Sequence, residues 1–152
     1  PPKQTERMEW FVEKACELGL DEIGFILTKK TQRSKLKLDR LEKKTISALK
    51  QSKGGFKTII HPLVSLDMFM QHPRKDPRYI ATVQPGLAHL TTYLVPQSRQ
   101  IILIGPEGDF TSHELGKALE KGYQPISLGE KILRTETAGI MSAIAVNLIH
   151  HY

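Results

Sequence analysis

Cysteine is almost absent from this 152-residue chain: Cys16 stands alone. An intrachain disulfide and a cysteine-rich zinc site are therefore excluded, and a reducing, cytoplasmic setting is expected. Long apolar runs are missing too. No stretch approaches the roughly 18 residues of a spanning helix. The opening Pro1-Pro2-Lys3-Gln4 has no apolar signal core, so neither a membrane-embedded nor a secreted protein is indicated. The six histidines show no His-Glu-x-x-His or related ligand spacing, and no metal is expected. A Gly-Lys-Ser/Thr phosphate loop and a Gly-x-Gly-x-x-Gly run are also lacking, which removes the usual supports for nucleotide hydrolysis and nicotinamide chemistry.

What is present fits one folded domain. Hydrophobic residues make up 39% of the chain, and its length accommodates a single ordinary core. The net charge of +6 is unevenly placed. Residues 29 to 57 hold eleven Lys and Arg against Asp39 and Glu42, a local charge of +9. Such a surface attracts polyphosphate by Coulomb steering and counterion release, which makes nucleic acid a candidate partner. The alternative is a solvated lysine-rich helix face. Phe56 is the only aromatic in that stretch, so a groove that stacks successive bases is not indicated.

Periodicity gives a βα alternation. Met8, Phe11, Val12, Ala15 and Leu18 recur at helical spacing over residues 5 to 18, and Gly19 stops that helix. Residues 23 to 27 form a short apolar run that reads as a buried strand. The polar stretch 28 to 37 is a loop. Leu38, Leu41, Thr45 and Leu49 then predict a second helix ending near Gly54-Gly55. A strand over 58 to 60, a short helix over 65 to 70 and turns over Pro73 to Pro77 follow. Strands are expected over 79 to 83, 100 to 104 and 125 to 128. Thr111 and Glu114 have the spacing of a capping box opening a helix that ends at Gly122, and residues 137 to 149 read as an apolar helix rich in small residues, with His150-His151 finishing it. Strands separated by helices predict an α/β fold, a mostly parallel sheet with helices on both faces and ligands at the strands' carboxyl ends.

Two loops at such ends carry chemistry. Gly105-Pro106-Glu107-Gly108 follows an apolar strand and precedes the capped helix, where glycines permit close approach of backbone to a ligand. A tight connection without a ligand is the alternative. The second loop, residues 128 to 138, supplies Arg134 and Glu136 as charges and Thr135 and Thr137 as hydroxyls. If its strand neighbours the first, the two loops form one pocket. Otherwise, the loop holds a surface salt bridge and a helix cap by Thr135 or Thr137.

These loops read Ile104-Gly-Pro-Glu-Gly-Asp-Phe110 and Leu128-Gly-Glu-Lys-Ile-Leu-Arg-Thr-Glu-Thr-Ala138, and they closely resemble the signatures of the bacterial ribosomal small subunit RNA methyltransferase E family. Glu13-Lys14-Ala15-Cys16-Glu17-Leu18-Gly19 resembles that family's Glu-Lys-Ala-x-Glu-Leu-Gly, and Gln51-Ser52 its Gln-Ser pair. The resemblance runs from about Lys3 to the C-terminus. It implies methylation of N3 of one uridine in 16S rRNA of the small ribosomal subunit, with S-adenosylmethionine as donor. It further implies a SPOUT-type fold with a C-terminal trefoil knot, which the general rarity of knots would otherwise oppose, and a homodimer. Family members also carry an N-terminal RNA-binding β-barrel domain, and this sequence opens where that domain is expected to have ended. Two departures stand out: Lys53-Gly54-Gly55 follows the Gln-Ser pair where arginine is frequent, and Asp109 stands where the family often has glycine, with a small effect on cofactor binding expected.

Carried onto these positions, the resemblance implies cofactor contacts at Val83, Ile104, Gly105, Pro106, Gly108, Leu128, Gly129, Ile132, Leu133, Thr137 and Ala138. RNA contacts are implied at Arg33, Lys44, Gln51, Ser52 and Lys53. For the reaction, N3 of uracil must lose its proton, and Arg134 is the first candidate to stabilise the charge that develops on the carbonyl oxygens. Guanidinium is a poor base, which leaves Glu136 or Glu107 as proton acceptor. Cofactor affinity separates this reading from a non-catalytic RNA-binding module of the same fold.

Overall fold

Every strand pairing in the computed structural model, which describes residues 1–72 and 75–151, is parallel. Parallel strands need long crossovers, and the helices read from the sequence supply most of them. Helix α1, Thr5–Glu17, buries Met8, Val12 and Ala15 on one stripe. Gly19, at φ +77°, ends it in the left-handed conformation that glycine adopts without strain. Helix α2, Leu38–Ser52, buries Leu41, Thr45 and Ala48. Thr45 is tolerated there because its hydroxyl donates to the Glu42 carbonyl at 2.8 Å. The left-handed residue after α2 is Lys53, at φ 53°, ahead of the glycine pair that the sequence pointed to. An ion pair between Glu9 and Arg40 ties α1 to α2.

The expected strand over 23 to 27 is split into β1, Glu22–Ile23, and β2, Ile26–Leu27. They pair with β3, Ile59–Ile60, and β4, Val64–Ser65. Three residues, His61 to Leu63, lie between β3 and β4, against only Gly24 and Phe25 between β1 and β2. The longer segment holds Pro62, which has no amide hydrogen to give to a ladder, and the two pairs stand as separate two-stranded sheets. Helix α3, Leu66–Gln71, starts at once, with the Ser65 hydroxyl accepting from the Met68 amide. The turns expected from Pro73 begin on Pro73 and Arg74, which lie outside the described residues.

A third sheet, of three strands, has the order β6-β5-β7. Its strands are β5, Arg78–Ala81, β6, Ile101–Ile104, and β7, Gln124–Ile126. Side chains alternate between its faces. Ile80 and Leu103 pack with Leu66 and Met70 of α3 and with Phe110, Leu115 and Ala118 around helix α4, Ser112–Glu120. Tyr79, Ala81, Ile102 and Ile104 point the other way, to a cluster holding Leu90, Ile126, Leu128 and Ala145. Ala145 belongs to helix α5, Thr135–His151. Helices thus cover both faces, as the βα pattern predicts.

Two expectations are corrected. Strands β6 and β7 are not neighbours, because β5 lies between them and pairs with both. Helix α5 starts at Thr135, two residues before the expected Thr137, so Thr135 and Glu136 lie in its first turn. Among the described residues, no helix is long and apolar enough to cross a membrane.

Candidate functional site

With β5 central, three loops leave the carboxyl end of the sheet side by side. They are Thr82-Val83 after β5, Gly105 to Asp109 after β6, and the segment from Ser127 after β7. This arrangement explains why Val83, in the β5 loop, belongs with the two glycine-containing loops.

Asp109 joins the first two. It adopts φ 59°, and Asp is among the few non-glycine residues that occupy that region readily. Its amide donates to the Pro106 carbonyl at 2.9 Å, closing the turn. Its Oδ2 accepts from the Thr82 hydroxyl at 2.8 Å and the Val83 amide at 3.0 Å, while Oδ1 accepts from the Phe110 amide at 2.7 Å. Its carboxylate thus fastens two of the three loops. Gly105 is packed against the same group: a Cβ there would sit 3.2 Å from Asp109 Oδ1 and from the Phe110 ring.

Thr135 joins the third loop. Its hydroxyl donates to the Gly105 carbonyl at 2.9 Å, across the opening of α5. This replaces the helix-capping role open to Thr135 in the sequence. At the far end, Ser127 Oγ accepts from the Gly129 amide at 3.0 Å, and Gly129 takes φ 119°.

The site is an open apolar surface rather than a closed cavity. Val83 is 62% exposed and Ile132 79% exposed, a high exposure for large aliphatic side chains. Ile104, Gly105, Pro106, Leu128 and Leu133 are half-buried, Ala138 is buried, and Gly108, Gly129 and Thr137 are exposed. A cavity of about 630 Å³ adjoins the site between β1–β2 and β6 and shares Ile104 and Thr135 with it. It is bordered by Glu136 and Gly139 of α5.

The candidate reacting groups separate. Arg134 is exposed, precedes α5 directly and gives its carbonyl to the Ala138 amide at 2.9 Å. Its guanidinium makes no hydrogen bond or ion pair among the described residues. Glu107 is exposed on the β6 loop. Glu136 is buried and turned towards α1, where its Oε1 lies 3.6 Å from Arg7 Nε. No Arg134–Glu136 salt bridge forms, and Glu136 is not grouped with the other two candidates.

The basic segment divides as well. Lys43, Lys50, Gln51, Lys53 and Lys57 are exposed, with Phe56, 93% exposed, between the last two lysines. Ser52 bonds the Leu49 carbonyl at 3.4 Å. Lys44 lies 3.7 Å from Glu13. Arg33, in contrast, is committed: its guanidinium donates to the Pro2 and Lys3 carbonyls and to the Thr5 hydroxyl. Sequence reasoning passed over Lys29 and Lys30, whose loop reaches the site. The Lys29 amide donates to Glu114 Oε1 at 2.7 Å, and the Lys30 ammonium donates to the Gly108 carbonyl. Charge alone marked these lysines, and nothing local revealed their partners 78 and 85 residues away.

Glu114 completes the capping box with Thr111 predicted for α4. Burial alone would raise its carboxyl, but the hydrogen bonds from Thr111 and from the Lys29 amide outweigh that and hold it below the usual carboxylate range. Among the described residues, no cluster of three or more His, Cys, Asp or Glu is placed to hold a metal ion.

Solved relatives share this fold. A solved probable rRNA-methyltransferase from Porphyromonas gingivalis is 39% identical, with a TM-score of 0.92 over 99% of this chain and 65% of its own. A ribosomal RNA small subunit methyltransferase E from Neisseria gonorrhoeae, solved bound to S-adenosyl methionine, is 26% identical, with a TM-score of 0.85 over 97% of this chain and 62% of its own. The protein of the same name from Mesomycoplasma hyopneumoniae is 30% identical over 90% of this chain and 62% of its own length. The chain thus spans about three fifths of these two namesakes. The model of the RNA methyltransferase domain matches residues 1–147, and this chain therefore belongs to the RNA methyltransferase domain family.

Proposed function

We propose that this chain is the donor-binding, catalytic part of an S-adenosylmethionine-dependent rRNA methyltransferase acting on N3 of one uridine in the 16S rRNA of the small ribosomal subunit. The observation that carries the reading is the junction of three loops at one end of the β6-β5-β7 sheet, fastened by Asp109 and Thr135. The residues suit this donor. It has no phosphate, and the site offers backbone and exposed aliphatic surface, while Lys30, which reaches the glycine loop, is engaged by the Gly108 carbonyl. The Neisseria relative with the bound donor supports the same choice.

Val83, Ile132 and Leu133 are the side chains placed to cover adenine, and the backbone of Gly105, Gly108, Leu128 and Gly129 to hold polar edges. Bound there, S-adenosylmethionine supplies an electrophilic methyl group on a sulfonium. Everything else falls to the chain's own groups. Arg134, whose guanidinium has no partner among the described residues, holds the uracil carbonyl oxygens and stabilises the negative charge that grows as the N3 proton leaves. Glu107, on the neighbouring loop, takes that proton in preference to Glu136, whose carboxylate faces Arg7. Holding N3 in line with the methyl supplies much of the remaining rate gain.

The C-terminal segment passes as a trefoil knot, for which the close likeness to the solved relatives is the support. The protein works as a homodimer: Met141, Ile144 and Leu148, all exposed, form one apolar stripe along α5. Its location is the cytoplasm, where ribosomal subunits are made. Exposed lysines of the 29 to 57 segment hold rRNA phosphates, which position the substrate without reading its sequence.

Calorimetry of this chain with S-adenosylmethionine tests the core of the proposal. The wild type is expected to bind. In Gly105→Val, the new side chain meets Asp109 and Phe110 at 3.2 Å or closer and deforms the turn, so affinity falls by at least about tenfold. Unchanged binding by this variant would refute the assigned site.

A further inference from the structure

The loop after β2 is fastened to the β6 loop at Gly108, inside the donor site assigned above, by a side chain to which the proposed reaction gives no part. Thr28 and Thr31 close a small turn. Thr31 Oγ1 accepts from the Thr28 amide at 2.9 Å, the two hydroxyls lie 2.8 Å apart, and the Thr31 amide donates to the Thr28 carbonyl at 3.1 Å. This turn presents its two central residues to the opening of α4. The Lys29 amide reaches Glu114 Oε1, whose partner oxygen accepts from the Thr111 amide at 2.8 Å in the capping box. The backbone of the basic loop is thus pinned before the next side chain extends.

That side chain is Lys30. Its ammonium donates to the Gly108 carbonyl, and its stem crosses directly over Gly108: a Cβ on that glycine would lie 3.0 Å from Lys30 Cδ. Glycine at 108 leaves the lysine stem room to lie against the turn. The carbonyl that receives this charged donor is one peptide from Asp109, whose carboxylate holds Thr82 and Val83. A cation on the turn's outer side and a carboxylate on its inner side fix the peptide between them.

We infer that Lys30 is a positioning residue for the Gly105–Asp109 turn, so that donor affinity depends on a side chain of the basic loop that never touches the donor. The inference rests on the donor site assigned above. A hydrogen bond from a charged group is stronger than one from a neutral group, and because Lys30 is exposed, its loss does not open the core.

The test compares Lys30→Met, which keeps the stem and removes the donor, with Lys30→Arg, which keeps a cationic donor. Each is titrated calorimetrically with S-adenosylmethionine and melted thermally without it. Lys30→Met is expected to weaken binding about tenfold, and Lys30→Arg to stay within about threefold of wild type. Both should melt at the wild-type temperature. Wild-type affinity in Lys30→Met would overturn the inference, and so would a melting temperature that falls in step with affinity, which marks a general loss of stability. Gly105→Val separates the two levels. Loss of binding there with none in Lys30→Met sinks only the role of Lys30, whereas a wild-type chain that does not bind the donor sinks the site assignment and this inference together.

Discussion

Asp109 shows how much one side chain can hold. Replacing it with alanine removes three accepted hydrogen bonds and leaves a β-carbon at φ 59°, where most side chains are strained. Asp109→Ala is expected to lose about 2 kcal/mol of stability and to weaken donor binding, whereas Asp109→Asn keeps tolerance of the left-handed turn and loses less. Thermal melting beside calorimetry checks both. The turn tolerance of this residue was readable from its type and neighbours, but its bonds to Thr82 and Val83 were not, because no local pattern links residues 27 apart. Glu136 teaches the converse. Its sequence neighbours suggested a pocket shared with Arg134, yet the helix opens at Thr135 and rotates the glutamate towards Arg7.

The elements were mostly legible because their stripes are regular. Met8, Val12 and Ala15 in α1, and Leu41, Thr45 and Ala48 in α2, follow the 3.6-residue period, and the Thr111–Glu114 box announced α4. The failures fall where two residues carry little period. Gly24-Phe25 breaks one expected strand in two, and β4, only Val64–Ser65, was hidden before a helix. The α4 opening also sets a pH dependence. The Glu114 carboxyl lies below its ordinary value when folded, so its contribution is complete above the unfolded carboxylate value and is lost as pH falls through the folded one. The melting temperature should therefore decline in that acid range, and Glu114→Gln should lower it at neutral pH while flattening the acid decline. An identical acid slope in wild type and variant would show that the box and the Lys29 bond add nothing.

For the whole molecule, the uneven charge was the most direct message of the sequence, and the structure refines which charges are available. Arg33 is occupied by backbone carbonyls, whereas Lys43, Lys50 and Lys53 stand exposed. Reversing these three to glutamate is expected to weaken rRNA binding and to reduce the slope of log affinity against log salt by about one per residue. Filter binding across a salt series measures it, and an unchanged slope would remove this face from the RNA surface. Strand order lay beyond the sequence for a plain reason. Apolar runs of similar composition announce that β5, β6 and β7 are buried, but not which is central, and only the pairing of β5 with both partners brings the three loops together.

Parallel pairing also governs how such a chain comes to exist. Among the described residues, no ladder joins antiparallel neighbours across a tight turn: Glu22 meets Ile59, and Tyr79 meets both Ile102 and Gln124. No hairpin can zip up early as a local seed. Each ladder forms only after a long excursion has closed, which costs chain entropy before any contact repays it. Folding is therefore slow by the standards of helical bundles.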